Sequence, residues 1–153
     1  MIGIGITLDA LKLLFSGGAP PPTPEDEVWT KVTKTYVDLS AASNANSITL
    51  TSLAAKTALR AVVIKHTEKF VGGTLSDYAV SVGITGDETK YSTFFDVWQN
   101  VGDTTAQATD TGCAVENFGA ATDILLSAGC AGALLSDASQ GSVDVYLLTS
   151  ELP

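Results

Sequence analysis

The hydrophobic pattern of this chain changes character twice along its length. Ile2, Ile4, Ile6 and Leu8 alternate with Gly3, Gly5, Thr7 and Asp9, a strand period with one apolar face and one nearly bare face. Leu8, Leu11, Leu14 and Phe15 then follow at helical spacing, and Gly17-Gly18 gives a stop. A lone strand leaves its N–H and C=O groups unpaired, and so short a helix is marginal in water. Both halves therefore need something to lie against. One reading is a docking arm for another subunit; the other is an arm folded back onto its own domain. Ser16 to Pro24 (SGGAPPPTP) is neither helix nor sheet interior. Its prolines favour an extended spacer of about 3.1 Å per residue. Residues 1–27 thus read as an arm and tether, and residues 28–153 as the folded domain.

From Val28 onward the pattern is one of short runs broken by turns. Val28 to Leu39 mixes Val, Thr and Tyr, and Ser40 to Asn46 is a turn. Ser47 to Leu53 alternates, with Ile48 and Leu50 on one face. Leu59 to Thr67 is nearly continuous and predicts a strand covered on both faces. Leu75 to Thr85 is the cleanest strand, with Tyr78, Val80, Val82 and Ile84 facing in and Ala79, Ser81 and Gly83 facing out. Tyr91, Phe94, Phe95 and Trp98 fall at i, i+3, i+4 and i+7, which favours a short amphipathic helix over an aromatic strand. Ala106 to Ala114 is ambiguous. Val115 to Phe118, Asp123 to Ala128 and Gly141 to Ser150 read as strands, the last with Val143, Val145 and Leu147 on one face. Seven to nine strands with turn signals about every 8–12 residues predict an all-β fold, an antiparallel β-sandwich with a jelly roll as its expected form.

Composition narrows the partners by exclusion. The 153 residues carry 8 Lys and Arg against 17 Asp and Glu, a net charge of −9. That balance argues against nucleic acid, whose phosphates reward clustered cations, and against an anionic membrane surface. Charged residues make up only 16%, so Thr, Ser, Ala, Asn and Gly must cover much of the surface. Such a surface suits a protein partly buried in an assembly, and it is also common in extracellular β domains. The apolar N-terminal run has no basic residue before Lys12 and no small-residue cleavage site, unlike a secretory signal. Asp9 and Lys12 break it short of the ~20 residues that span a membrane.

Little of the sequence carries chemistry. His66 is the one histidine, and no G-x-S-x-G elbow accompanies it; it reads as a core or surface residue. His66-Thr67-Glu68 matches half of a zinc-deaminase signature, but Cys113 and Cys130 cannot supply the P-C-x-x-C half. Both cysteines read as small buried hydrophobes. Asp77, Asp87, Glu88, Asp96 and Asp103 fall mostly in turns, as solvated acids do, which weakens a paired-carboxylate glycosidase. Asp103 and Asp110 could share a calcium ion, yet no D-x-[DN]-x-[DN]-G loop is present. Gly3-Ile4-Gly5 lacks the third glycine and the βαβ unit of a dinucleotide fingerprint. The expectation is a non-enzyme with no catalytic residue, cofactor or metal.

Ala58 to His66 (ALRAVVIKH), Asp77 to Gly86 (DYAVSVGITG), Val115 to Leu126 (VENFGAATDILL) and Gly141 to Leu152 (GSVDVYLLTSEL) resemble segments of tailed-bacteriophage virion structural proteins. The likeness is to capsid decoration, or cement, proteins with a jelly-roll-like sandwich, and it spans residues 29–152. It implies a protein on the outer surface of the capsid, often a trimer, whose arm reaches into neighbouring subunits. The partners it implies are the major capsid protein and copies of this chain. Ile2, Ile4, Ile6, Leu8, Leu11, Leu14 and Phe15 would form the partner interface. A head-fibre base, a tail adaptor or tip protein, and a free carbohydrate-binding or adhesion module are the alternatives.

Overall fold

The computed structural model of the chain describes residues 27–99, 107–109, 116–117 and 119–151. They form strands β1 (Glu27–Thr35), β2 (Ala45–Leu53), β3 (Thr57–Val71), β4 (Asp77–Gly83), β5 (Phe95–Asp96), β6 (Gln107–Thr109), β7 (Glu116–Asn117), β8 (Thr122–Ala131) and β9 (Gln140–Glu151). One helical turn, α1 (Tyr36–Leu39), joins β1 to β2, and a 3-10 turn at Leu135–Asp137 joins β8 to β9. The all-β expectation holds.

The strands make two antiparallel sheets. The first runs β1-β9-β3-β6, with β7 also on β3; the second runs β2-β8-β4-β5. The pairing is nested: β1 with β9, β2 with β8, β3 with β6 and β7, and β4 with β5. Rolling one long hairpin into two layers produces such nesting. Most contacts are therefore distant in sequence, and this sandwich belongs to the slow-folding topologies.

The core lies between the sheets. Leu59, Val62 and Ile64 of β3 and Val143, Val145 and Leu147 of β9 face Tyr78, Val80 and Val82 of β4 and Ile124, Leu126 and Ala128 of β8. Leu39 of α1 and Leu135 of the 3-10 turn are fully buried and join the same core. The α1 turn is held at its start by Asp38, whose carboxylate accepts from the Thr35 N–H and hydroxyl, both at 2.8 Å. Gly141 is one place where the chain needs a glycine. Its φ is +142°, and a Cβ there would sit 2.3 Å from the Phe70 ring, which stacks on Tyr78 with centroids 4.5 Å apart.

Two expectations about faces and one about an element need correcting. Ala61 and Val63 on the outer face of β3 are only half-buried, so that strand is not covered on both sides. Conversely, Ser81 and Gly83 on the outward face of β4 are buried. The segment after β4 folds over them: Ser81 donates to the Glu88 carbonyl, and a Cβ on Gly83 would collide with the Asp87 carbonyl.

Tyr91 to Trp98 is not a helix. Tyr91, Phe95 and Val97 are buried while Phe94 and Asp96 are exposed. The Tyr91 and Ser92 N–H groups donate to the Val82 carbonyl, and the Val97 N–H to that of Tyr78. The backbone is satisfied by β4 rather than by its own turns, leaving only the short β5.

Candidate docking surface

The arm residues Ile2, Ile4, Ile6, Leu8, Leu11, Leu14 and Phe15 lie outside the described residues, as do Cys113, Asp103 and Asp110. What the structure describes is the place where the arm joins the domain. That place is the start of β1, a strand at the edge of its sheet.

Strand β1 pairs with β9 from Glu27 opposite Ser150 to Thr35 opposite Ser142. Its other edge has no partner among the described residues. Opposite residues of antiparallel strands share a face. Val28, Thr30, Val32 and Lys34 therefore point to the core side, with Thr149, Leu147, Val145 and Val143. Yet Val28 is 56% exposed and Thr30 is exposed, so the second sheet does not reach beneath the first half of β1. On the opposite face Trp29 is 53% exposed beside half-buried Leu148. Periodicity could not show this, because β1 alternates Val and Thr as an ordinary half-covered strand does.

The outer face of β1 is anchored by one charge cluster. Lys31 Nζ lies 2.8 Å from the carboxylate of Asp144, which also accepts from the Thr33 hydroxyl at 2.6 Å. Burial alone would raise the Asp144 pKa; Lys31 and Thr33 more than offset it, and the net shift is downward. Lys31 also sits 6.0 Å from the centroid of the Tyr146 ring. Lys31, Lys34, Arg60, Lys65 and Lys69, five of the chain's 8 cationic side chains, stand on β1 and β3. The acids Asp77, Asp87, Glu88, Asp96 and Asp123 stand on the second sheet and its loops.

The catalytic candidates are not brought together. His66 is 1% exposed on the core side of β3, and neither ring nitrogen has a hydrogen-bond partner among the described residues. Burial lowers its pKa, opposed by the backbone at Glu68 and by the Asp96 carboxylate. The Tyr78 hydroxyl is likewise buried, with no hydrogen-bond partner among the described residues, and burial raises its pKa. Asp77, Asp87, Glu88 and Asp96 are exposed. Cys130 is half-buried rather than buried, with its Sγ 3.4 Å from the Ala133 carbonyl. Among the described residues no group of three metal-ligating side chains forms. An open cleft of about 550 Å³ lies on the outer face of the second sheet, between Ser47 and Ser127 on one side and Glu88 and Phe94 on the other. Phe94 is its one exposed aromatic ring, 54% exposed, and does not make a groove of aromatics.

No protein-family model matches the chain, and no curated protein matches it. Solved structures do. A chain of the cyanophage Pam1 capsid asymmetric unit aligns with a TM-score of 0.65 at 18% identity, over 92% of this chain and 96% of that one. The two chains share a fold. A chain of the acidic stable capsid of Helicobacter pylori bacteriophage KHP30 aligns at 0.45 and 15% identity, over 81% and 86% of the two chains. FLHE aligns at 0.40 and 12% identity, over 82% and 97%.

Proposed function

We propose that this chain is a non-enzymatic structural protein of a phage virion, a capsid decoration protein that binds and stabilises the head through its N-terminal arm. The observation that carries this reading is the likeness to the Pam1 capsid chain, which runs nearly end to end in both proteins. The sequence adds an apolar arm on a proline tether that leads into β1, a strand whose outer edge has no partner among the described residues. The nested pairing supports a jelly roll, the form that a rolled hairpin of this order takes. On this reading the protein sits on the outer surface of the capsid, as a trimer, with the major capsid protein as partner.

The energetics suit such a role. Ile2, Ile4, Ile6, Leu8, Leu11, Leu14 and Phe15 bury apolar surface on the partners, the major capsid protein and copies of this chain, each worth about 1.5–3 kcal/mol when fully covered. Ordering the arm offsets part of that gain, and several arms per oligomer add avidity. The test is rebinding of purified protein to heads that lack it. Ile4→Asp is expected to weaken co-sedimentation at least tenfold with an unchanged melting temperature. Undiminished binding by this variant would refute attachment through the arm.

A further inference from the structure

We propose that the edge of β1 that has no partner among the described residues is the acceptor for the strand-like half of the arm, Ile2 to Leu8, donated by a neighbouring copy of the chain. The inference rests on the arm being the docking element, as proposed above, and names the surface that receives its first half.

A nine-residue strand (Glu27–Thr35) with one edge unpaired among the described residues is a hazard unless something covers or guards that edge. Natural edges are often guarded by lysines. Here Lys31 is drawn back onto its own sheet by Asp144, and Lys34 stands near the far end of the strand. The stretch Val28–Thr30 carries no charge, and its core-side positions overhang the second sheet. A strand added at this edge would continue both faces of the sheet. Its core-side residues would cover Val28 and Val32; its outer residues would lie beside the exposed Trp29 ring.

The arm has the matching pattern. Ile2, Ile4, Ile6 and Leu8 supply one apolar face for the overhang. Gly3 and Gly5 leave the other face bare where the indole of Trp29 would lie across it, and an aromatic residue opposite an edge glycine is a favourable cross-strand pair.

The tether is long enough to bring a neighbour's arm to this edge, and the oligomeric state tells a neighbour's arm from the chain's own. Ser16 to Asp26 holds four prolines, Pro20, Pro21, Pro22 and Pro24, and at polyproline spacing it runs about 30 Å. Strand β1 is itself about 30 Å long. A spacer of that length would let the arm reach the edge of a neighbouring copy. Each copy then gives one strand and accepts one. Such a head-to-tail contact makes a ring where its rotation closes, and a ring of three copies is a trimer. Leu11, Leu14 and Phe15 remain available to the capsid.

Two full-length variants test this in the absence of capsid. Ile4→Asp/Ile6→Asp spoils the arm and leaves the edge open. Val28→Asp/Thr30→Asp spoils the edge at exposed positions and leaves the arm intact. By native mass spectrometry the unmodified chain is expected as a closed oligomer and each variant as a monomer. An equimolar mixture of the two is expected to give a one-to-one dimer, because one supplies the arm and the other the edge. An unmodified chain that is monomeric, as a self-bound arm requires, overturns the proposal. So does a variant that stays oligomeric, or a mixture that stays monomeric.

Hydrogen exchange gives a second readout that does not depend on the edge variant. All β1 amides should be protected in the oligomer, and those facing away from β9 should exchange at least tenfold faster in Ile4→Asp/Ile6→Asp. Equal rates would overturn the proposal. Head binding is scored separately: a monomer that binds heads sinks strand exchange alone, and an oligomer that ignores heads sinks attachment alone.

Discussion

Replacing His66 with leucine should leave the protein at least as stable as before, an unusual outcome for a buried residue. The imidazole is 1% exposed on the core face of β3, and neither nitrogen has a partner among the described residues. Burying a polar group without a hydrogen bond costs about 1–3 kcal/mol. His66→Leu removes that cost, while repacking a side chain of similar size costs less than about 1.5 kcal/mol. The net expectation at pH 8 is between no change and a gain of about 2 kcal/mol, or several degrees in melting temperature for a domain of this size.

The pH dependence has a definite sign. Burial lowers the folded pKa of His66 below its ordinary 6.5. The unfolded chain therefore binds the proton first, and the native state loses stability as pH falls from about 6.5 toward the folded pKa. The leucine variant lacks this loss, so its advantage should widen between pH 8 and pH 5. Thermal unfolding followed by circular dichroism at both values reads it directly. A drop of 2 kcal/mol or more at pH 8, or a difference that does not change with pH, would refute the account of an unpaired neutral imidazole.

Gly141→Ala should be severe, because φ is +142° and the new Cβ would sit 2.3 Å from the Phe70 ring; a loss of at least about 2 kcal/mol in chemical denaturation is expected, and less than about 0.5 would contradict the packing. Lys31→Met should lower the melting temperature more at pH 7 than at pH 3, since Asp144 loses its cation while charged and can take a proton in acid; equal effects at both values would show that the pair is not coupled. Burial raises the pKa of the Cys130 thiol, so at pH 7 alkylation mapped to Cys130 should be slower than that of a free thiol and should accelerate on unfolding. A rate equal to free thiol in the native state would contradict that burial.

Much of the sandwich was legible because one face of the central strands β3, β4, β8 and β9 is covered. Val143, Val145 and Leu147, and Tyr78, Val80 and Val82, alternate as sequence requires and are fully buried. The misreadings have a common physical origin: they depend on which distant segment lies on top. Tyr91 to Trp98 has helical spacing, but β4 supplies its backbone partners, and Asp96 turns the chain by accepting from the Trp98 N–H at 2.8 Å. Ser81 and Gly83 are small and polar enough to read as solvent-facing, yet the loop after β4 closes over them.

The candidate docking surface was half legible in the sequence. The arm announces itself by two apolar periods beside a proline tether. The edge position of β1 does not, because Val and Thr alternate alike in edge and central strands. Its exposure follows from where the second sheet ends, which no local pattern records.

The central claim is that this chain is part of a phage shell in many copies. The most direct measurement is its copy number in particles purified from its source, by quantitative mass spectrometry against the major capsid protein. The decoration reading predicts a number of the same order as the capsid protein. A handful of copies would contradict it in favour of a tail or single-vertex protein, and absence from the particles would contradict a virion role altogether.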